Sequence, residues 1–439
     1  MSSADDTPVS DREAADLFAP LRDFARVGLA VSGGADSTAL LHLFVKARTV
    51  DPRLPEAVVL GVDHGLRATA AAEIAEVAGK ARRLGLSHRT LVWDGPKPSG
   101  DLQAAARRAR YRLMADAMAD LGLEALVLAH HADDQAETFV MRLARGSGVV
   151  GLAGMAPIDV VDGVRLVRPF LALPKRRLVA TLEAAGETWV EDPSNADPRF
   201  ERARIRAALP GLSAIGLTRD RLTATARAMA RASLALDGLC DALVRAALVD
   251  HAAGFSSLDL AAFHAAPEEV RLRLLSRTIL RFGGGAYGPR LGDLERLAAE
   301  IGDGARPVVR TLGRVRIEAR RGRLWFAPEA GRIGEGCALA PGGATTWLDR
   351  RIRLSEAAPA PVTLGLLGPA GRLALGSATA GLGEGMRPSA AIAETATAIR
   401  VAGRLVAVAG TGWRPDGETF DWKGAIDGLD VRKTARSAG

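Results

Sequence analysis

Ser32-Gly33-Gly34-Ala35-Asp36-Ser37 sets two adjacent glycines between two hydroxyl side chains and a lone carboxylate. Lacking Cβ atoms, the glycines let backbone N–H groups crowd an anion, and a following helix N-terminus adds its partial positive charge. Ser32 and Ser37 contribute hydroxyl donors, so Ser32, Gly33, Gly34, Ala35, Asp36 and Ser37 are together candidates for contact with a nucleotide phosphate chain. The loop lacks the Gly-Lys-Ser/Thr ending of a Walker A motif, which argues against γ-phosphate hydrolysis of that type. Asp36 repels phosphate unless a divalent cation bridges the two, which makes it the candidate Mg²⁺ ligand. A glycine-rich strand-to-helix turn capped by Asp36 accounts for the same residues equally well.

Val62-Asp63-His64-Gly65 offers Asp63 and His64 as further nucleotide contacts, although Asp-His-Gly taken alone reads first as a structural turn. The stretch His130-His131-Ala132-Asp133-Asp134-Gln135-Ala136-Glu137-Thr138 is more telling. If it opens a helix, positions 130, 133, 134 and 137 fall at i, i+3, i+4 and i+7, so one face carries an imidazole and three carboxylates. Asp133, Asp134 and Glu137 then suit an ammonium group or Mg²⁺, whereas zinc is disfavoured because neither cysteine lies nearby. The preference of acidic residues for a helix N-terminus explains part of the cluster. Ala105 to Tyr111 reads as helix with Arg107, Arg110 and Tyr111 on one side; Arg107 would meet phosphate, and a solvated basic face is the plainer alternative. Asp192-Pro193-Ser194-Asn195 forms a turn ahead of Arg199, Arg202, Arg204 and Arg206, a segment suited to a nucleic-acid backbone.

These residues need a frame. Between about residues 27 and 150, the β-like runs Val27–Val31, Ala57–Val62, His88–Trp93 and Ala125–Ala129 alternate with Ala/Leu/Arg-rich helical stretches, the pattern of a parallel sheet covered by helices. The loop, Asp63 and the acidic stretch each follow a run, so they share the C-terminal sheet edge where ligands bind. The fold class expected is α/β, a parallel-sheet nucleotide-binding domain over 1–212, followed by a mainly helical domain over 213–330 and a small C-terminal α+β domain over 340–439. Two helical stretches, 217–248 and 266–303, the second broken at Gly283-Gly284-Gly285, build the middle domain, and Val308 to Phe326 reads as a basic β-hairpin around Gly313 and Gly322.

The chain has 439 residues, 48% hydrophobic and 25% charged, which is globular composition for more than one domain. Lys and Arg outnumber Asp and Glu by 58 to 51, a modest bias toward a polyanionic partner. Cys240 and Cys337 stand in no metal or redox spacing, which suits a reducing compartment. The first residues are acidic rather than signal-like, and no apolar run reaches spanning length, so a cytoplasmic protein without membrane contact is expected.

In this order, SGGADS, VDHGLR, HHADDQAET, RGSGVVGLAGM and EDPSN ahead of an Arg-rich helix resemble the bacterial tRNA(Ile)-lysidine synthases of the PP-loop ATPase superfamily, over roughly residues 22–210. Beyond that the resemblance is carried by length, by Tyr287-Gly288-Pro289-Arg290 and by the basic hairpin. It implies ATP and Mg²⁺ as cofactors, and L-lysine and the tRNA(Ile) with anticodon CAU as partners. The implied reaction adenylates carbon 2 of the first anticodon cytidine, releasing pyrophosphate; the lysine ε-amine then displaces AMP and leaves lysidine. On this resemblance the loop cradles pyrophosphate, Asp36 holds Mg²⁺, Arg107 faces ATP phosphate, Asp133, Asp134 and Glu137 hold and deprotonate lysine, and the later domains grip tRNA. Ala203 departs from the family pattern, which often has Asn there. A thiolase of the 2-thiocytidine type would need clustered cysteines, and GMP or argininosuccinate synthetases do not account for HHADDQAET with VDHGLR. A non-catalytic RNA-binding protein on the same fold is the alternative from outside the enzymes. The sequence leaves open a homodimer, and it does not show how methionine tRNA is rejected.

Overall fold

In the computed structural model the described residues are 6–63, 65, 70–94, 102–161, 163–191, 197–285, 288–302, 306–334, 336–348, 350–383, 386–422 and 424–427. They fall into two units, Met1–Ser233 and Leu234–Gly439. The first runs α1 (Asp11–Phe18), β1 (Arg26–Ala30), α2 (Ala35–Val50), β2 (Glu56–Asp63), α3 (Ala70–Arg83), β3 (Ser87–Val92), α4 (Leu102–Leu121), β4 (Ala125–Val127), α5 (Ala132–Ala144), α6 (Val149–Leu152), β5 (Ile158–Val161), β6 (Val164–Val167), α7 (Lys175–Ala184) and α8 (Glu201–Ala214), and α9 (Arg219–Ala247) carries the chain past its boundary.

Successive residues of a strand point to opposite faces, and here both faces are apolar. Val27, Leu29 and Val59 pack with Leu40, Phe44 and Leu178 on one side; Val58, Leu60 and Leu126 pack with Met114 and Met118 on the other. The result is a helix-covered sheet in the order β3-β2-β1-β4-β6-β5, parallel throughout except for β5, which pairs antiparallel with β6. The chain builds outward from β1 to β3 and then crosses back to lay β4 on the other side of β1. That reversal opens a crevice between the C-terminal ends of β1 and β4, the place where open parallel sheets bind ligands.

In the second unit β7 (Leu248–Asp250), β8 (Ser256–Asp259), α10 (Leu260–Ala265), α11 (Glu268–Gly283), α12 (Leu291–Ile301), β9 (Val308–Leu312), β10 (Val315–Arg320) and β11 (Arg323–Pro328) form an antiparallel sheet, β7-β8-β11-β10-β9, packed by Leu274, Ile279, Leu294 and Leu297. The middle of the chain is therefore helical with a sheet of its own. The expected basic hairpin is a three-stranded meander whose tight turns, Gly313-Arg314 and Arg321-Gly322, all have positive φ. Beyond it, β12 (Cys337–Leu339), β13 (Ala344–Trp347), β14 (Arg350–Leu354), β15 (Val362–Leu366), α13 (Gly368–Leu375), α14 (Ala390–Ala393), β16 (Thr397–Val401), β17 (Arg404–Val408) and β18 (Ile426–Asp427) make a β12-β15-β16-β17 sheet and a β13-β14-β18 sheet. Among the described residues no helix is long and apolar enough to cross a membrane.

Candidate active site

The loop after β1 is held from within by its own hydroxyls. Ser32 N–H donates to Ser37 Oγ at 3.1 Å, the two Oγ atoms lie 3.3 Å apart, and Ser37 Oγ donates to the Gly34 carbonyl at 3.1 Å. Thr38 Oγ1 and Val190 N–H both donate to the Gly33 carbonyl. Gly33 has φ +88°, and a Cβ there would stand 3.3 Å from Val77 Cγ2, so the position calls for glycine. Gly34, with no side-chain cap, is the N-cap of α2. Asp36 thus does not cap the helix: the alternative reading of the loop as a turn capped by Asp36 has no support in this geometry. Its carboxylate faces the crevice, and its Oδ1 is buried with no hydrogen-bond partner.

What meets Asp36 comes from the loop after β4. His131, 1% exposed, is the N-cap of α5: its Nδ1 accepts the Asp134 N–H at 3.3 Å and its backbone N–H donates to Asp134 Oδ2 at 3.0 Å. Its Nε2 lies 3.4 Å from both Asp36 Oδ2 and Asp134 Oδ2, and its Nδ1 3.6 Å from Asp133 Oδ2. Burial opposes the imidazolium, but Asp36, Asp134 and Asp133 outweigh it, and the His131 pKa lies above its ordinary value; Nδ1 accepts the Asp134 N–H in the neutral ring, and protonation exchanges that bond for a donor facing Asp133 Oδ2. Burial likewise opposes the Asp36 carboxylate, yet His131 and Lys175 hold its pKa below the usual one.

Lys175, the first residue of α7, joins the two loops: its N–H donates to Asp133 Oδ2 at 2.8 Å and its Nζ stands 3.4 Å from Asp36 Oδ2. Neither His131 nor Lys175 stands out by residue type and spacing in the sequence. His130, whose spacing does stand out, precedes the cap and lies outside the helix. The signal for His131 is its place directly before an Ala-Asp-Asp start, where a side chain must accept the orphan N–H groups of the first turn.

Glu137 changes the reading of the acidic face. Its side chain is 2% exposed, Arg202 Nε donates to Oε2 at 2.6 Å and Arg206 Nε to Oε1 at 2.7 Å. Arg202 Nη2 also donates to Asp134 Oδ1 at 2.7 Å. Both Glu137 oxygens accept a guanidinium N–H, and its side chain is 2% exposed against 34% for Asp133 and 14% for Asp134, so in this arrangement it is the carboxylate of the three most enclosed against α8. By the same bonds Arg202 and Arg206 turn toward α5. Ala203, between them, is buried.

The RGSGVVGLAGM segment is a buttress for α5. Gln135 Nε2 donates to the Met155 carbonyl and its Oε1 accepts the Met155 N–H, both at 2.8 Å, while Arg142 Nη1 donates to the Gly151 and Gly154 carbonyls. Gly154, φ +73°, leaves the space that Gln135 fills; a Cβ there would stand 2.6 Å from Oε1.

Asp63 ends β2 on the same edge, its Oδ1 accepting the Gly65 N–H at 2.8 Å. His64, the Asp192–Asn195 turn and Tyr287 lie outside the described residues; Arg107 lies on α4, with its side chain outside them. Among the described residues no group of three or more His, Cys, Asp or Glu side chains is placed to hold a metal unaided.

Residues 7–211 match the PP-loop domain family. The chain is similar to the tRNA(Ile)-lysidine synthase of Bradyrhizobium diazoefficiens, 42% identical over 76% of this chain and 99% of that one. It is also similar to those of Bradyrhizobium sp., 46% identical over 68% of this chain and 86% of that one, and Methylobacterium nodulans, 47% identical over 70% and 91%. On identity of this level across nearly the whole of a relative, the chain belongs to the tRNA(Ile)-lysidine synthase family of PP-loop ligases.

Proposed function

We propose that this chain ligates lysine to carbon 2 of the first anticodon cytidine of the tRNA(Ile) with anticodon CAU, using ATP and working in the cytoplasm. The observation that carries the reading is the meeting of Asp36, His131, Asp134 and Lys175 within 3.4 Å contacts at the sheet's switch point, where a glycine-rich loop and an acidic helix start converge.

In the first step the cytidine O2 attacks the ATP α-phosphorus and pyrophosphate leaves. The loop N–H groups, Ser32 and Ser37 cradle the departing pyrophosphate, which lowers the barrier by placing fixed donors where negative charge grows. The orphaned Oδ1 of Asp36 fits one ligand position of a hard cation, with phosphate oxygens and water completing the shell. Mg²⁺ held there would neutralise phosphate charge. In the second step the lysine ε-amine attacks carbon 2, the carbon–oxygen bond to the adenylate breaks, and AMP leaves with that oxygen. Asp133 and Asp134 hold the ammonium and take its proton, since only the free amine is a nucleophile. Glu137 serves at one remove, fixing Arg202 and Arg206 against α5. The second unit, with exposed Arg306, Arg314 and Arg321 around its meander, supplies tRNA contacts.

The test is incubation of the purified protein with ATP, labelled lysine and unmodified tRNA(Ile) transcript. Label enters the RNA if the reading holds. Absence of label under conditions where the tRNA binds would overturn it.

A further inference from the structure

A pyrophosphate group carries several negative charges, and Ser32–Ser37 contains no Lys or Arg to meet them, while Asp36 adds one more. Donors, a helix N-terminus and the Mg²⁺ that Asp36 would hold offset part of this repulsion; a side-chain cation within reach of the phosphates would offset more. The arginines nearest the acidic helix start are committed, Arg202 to Asp134 and Glu137 and Arg206 to Glu137. Among the described residues, the ion-pair partners of Asp36 are His131 and Lys175. His131 is enclosed and fixed by its capping bonds.

Lys175 differs on each count. Its side chain is 43% exposed. Its root is fixed, because Pro174 precedes it and its N–H is bound to Asp133, while the four-carbon stem is free to turn. The ammonium rests 3.4 Å from Asp36 Oδ2, longer than a strong charged hydrogen bond, so little is lost when it leaves. A lysine serves phosphate as a compact point charge with rotatable donors, which suits a group that must change partners.

From this geometry we infer that Lys175 is a substrate-contacting residue of the reaction: its ammonium neutralises Asp36 in the empty site and transfers to the pyrophosphate part of ATP when the nucleotide enters, freeing Asp36 for the cation. Asp133 is its positioning residue, through the Lys175 N–H. The inference rests on the nucleotide-binding reading of the loop given above.

The experiment is equilibrium binding of inorganic pyrophosphate, and separately of AMP, each with Mg²⁺, to wild type, Lys175→Met and Lys175→Arg. Loss of one charged contact should weaken pyrophosphate about ten- to a hundred-fold in Lys175→Met, with Lys175→Arg close to wild type. AMP, which lacks the β- and γ-phosphates, should bind all three alike and so reports that the site is folded. If wild type binds pyrophosphate and Lys175→Met binds it as tightly, the inference falls and the loop reading stands. If Lys175→Met loses AMP and pyrophosphate equally, Lys175 is structural and the inference falls. If wild type binds no pyrophosphate, both fall together.

Discussion

Replacing Glu137 by Gln separates two roles for this residue. As an anchor, its carboxylate balances two guanidiniums at 2.6 and 2.7 Å, and a glutamine side chain in its place would leave both facing a neutral amide. Removing one partner of a buried ion pair costs about 3–5 kcal/mol. Here Glu137 is 2% exposed but Arg202 and Arg206 are 35% and 45% exposed, so water recovers part of their solvation, and Arg202 keeps Asp134. Fully exposed pairs contribute about 0–1 kcal/mol. An intermediate loss of about 2 kcal/mol is expected, read from urea unfolding of wild type and Glu137→Gln. Because Arg202 keeps its bond to Asp134, the carboxylates that hold lysine stay in place, and the KM for lysine should change little. Full stability combined with a KM for lysine raised about ten-fold or more would refute the reasoning and put Glu137 on the substrate.

Asp36→Ala should abolish lysidine formation and leave tRNA binding intact in a gel-shift titration; loss of both would mean misfolding. Gly154→Ala forces a Cβ to within 2.6 Å of Gln135 Oε1 at φ +73°, and should cost on the order of 2 kcal/mol in the same unfolding assay; an unchanged midpoint would contradict the buttress role of the segment. His131 has a pKa raised above 6.5, so its imidazolium contributes stability that is fully present below about pH 6.5 and lost as pH rises through the folded-state value. His131→Asn should therefore destabilise the protein more at about pH 6 than at about pH 9 in paired urea melts, and equal losses would contradict the ion-pair assignment.

The parts of this fold that are legible in the sequence are those set by local chemistry. Val27–Val31 followed by Ser32-Gly33-Gly34 announces strand, loop and helix, and glycine is the residue that accepts φ +88° at position 33 without strain. The ends of β1, β2 and β4 fall on one edge because parallel strands joined by helices must all run the same way. Partner choice is not legible. Arg202 and Arg206 look like a nucleic-acid stripe in one dimension, and nothing local says that α8 lies against α5 with Glu137 between them. Lys175 is 139 residues from Asp36, so its approach depends on how α7 returns to the sheet. His130 and His131 are adjacent and differ in that His131 is the N-cap of α5, a boundary that the capping bonds decide and periodicity does not. The sheet of the middle region is hard to read because β7 and β8 are short and weakly alternating, Leu248–Asp250 and Ser256–Asp259.

Adenylation at a site built around Asp36 is the central claim, and one measurement addresses it directly. Exchange of labelled pyrophosphate into ATP, with unmodified tRNA(Ile) and without lysine, isolates the first step. The expected result is tRNA-dependent exchange by wild type and none by Asp36→Ala. No exchange by wild type, with ADP and phosphate as the products once lysine is supplied, would contradict it.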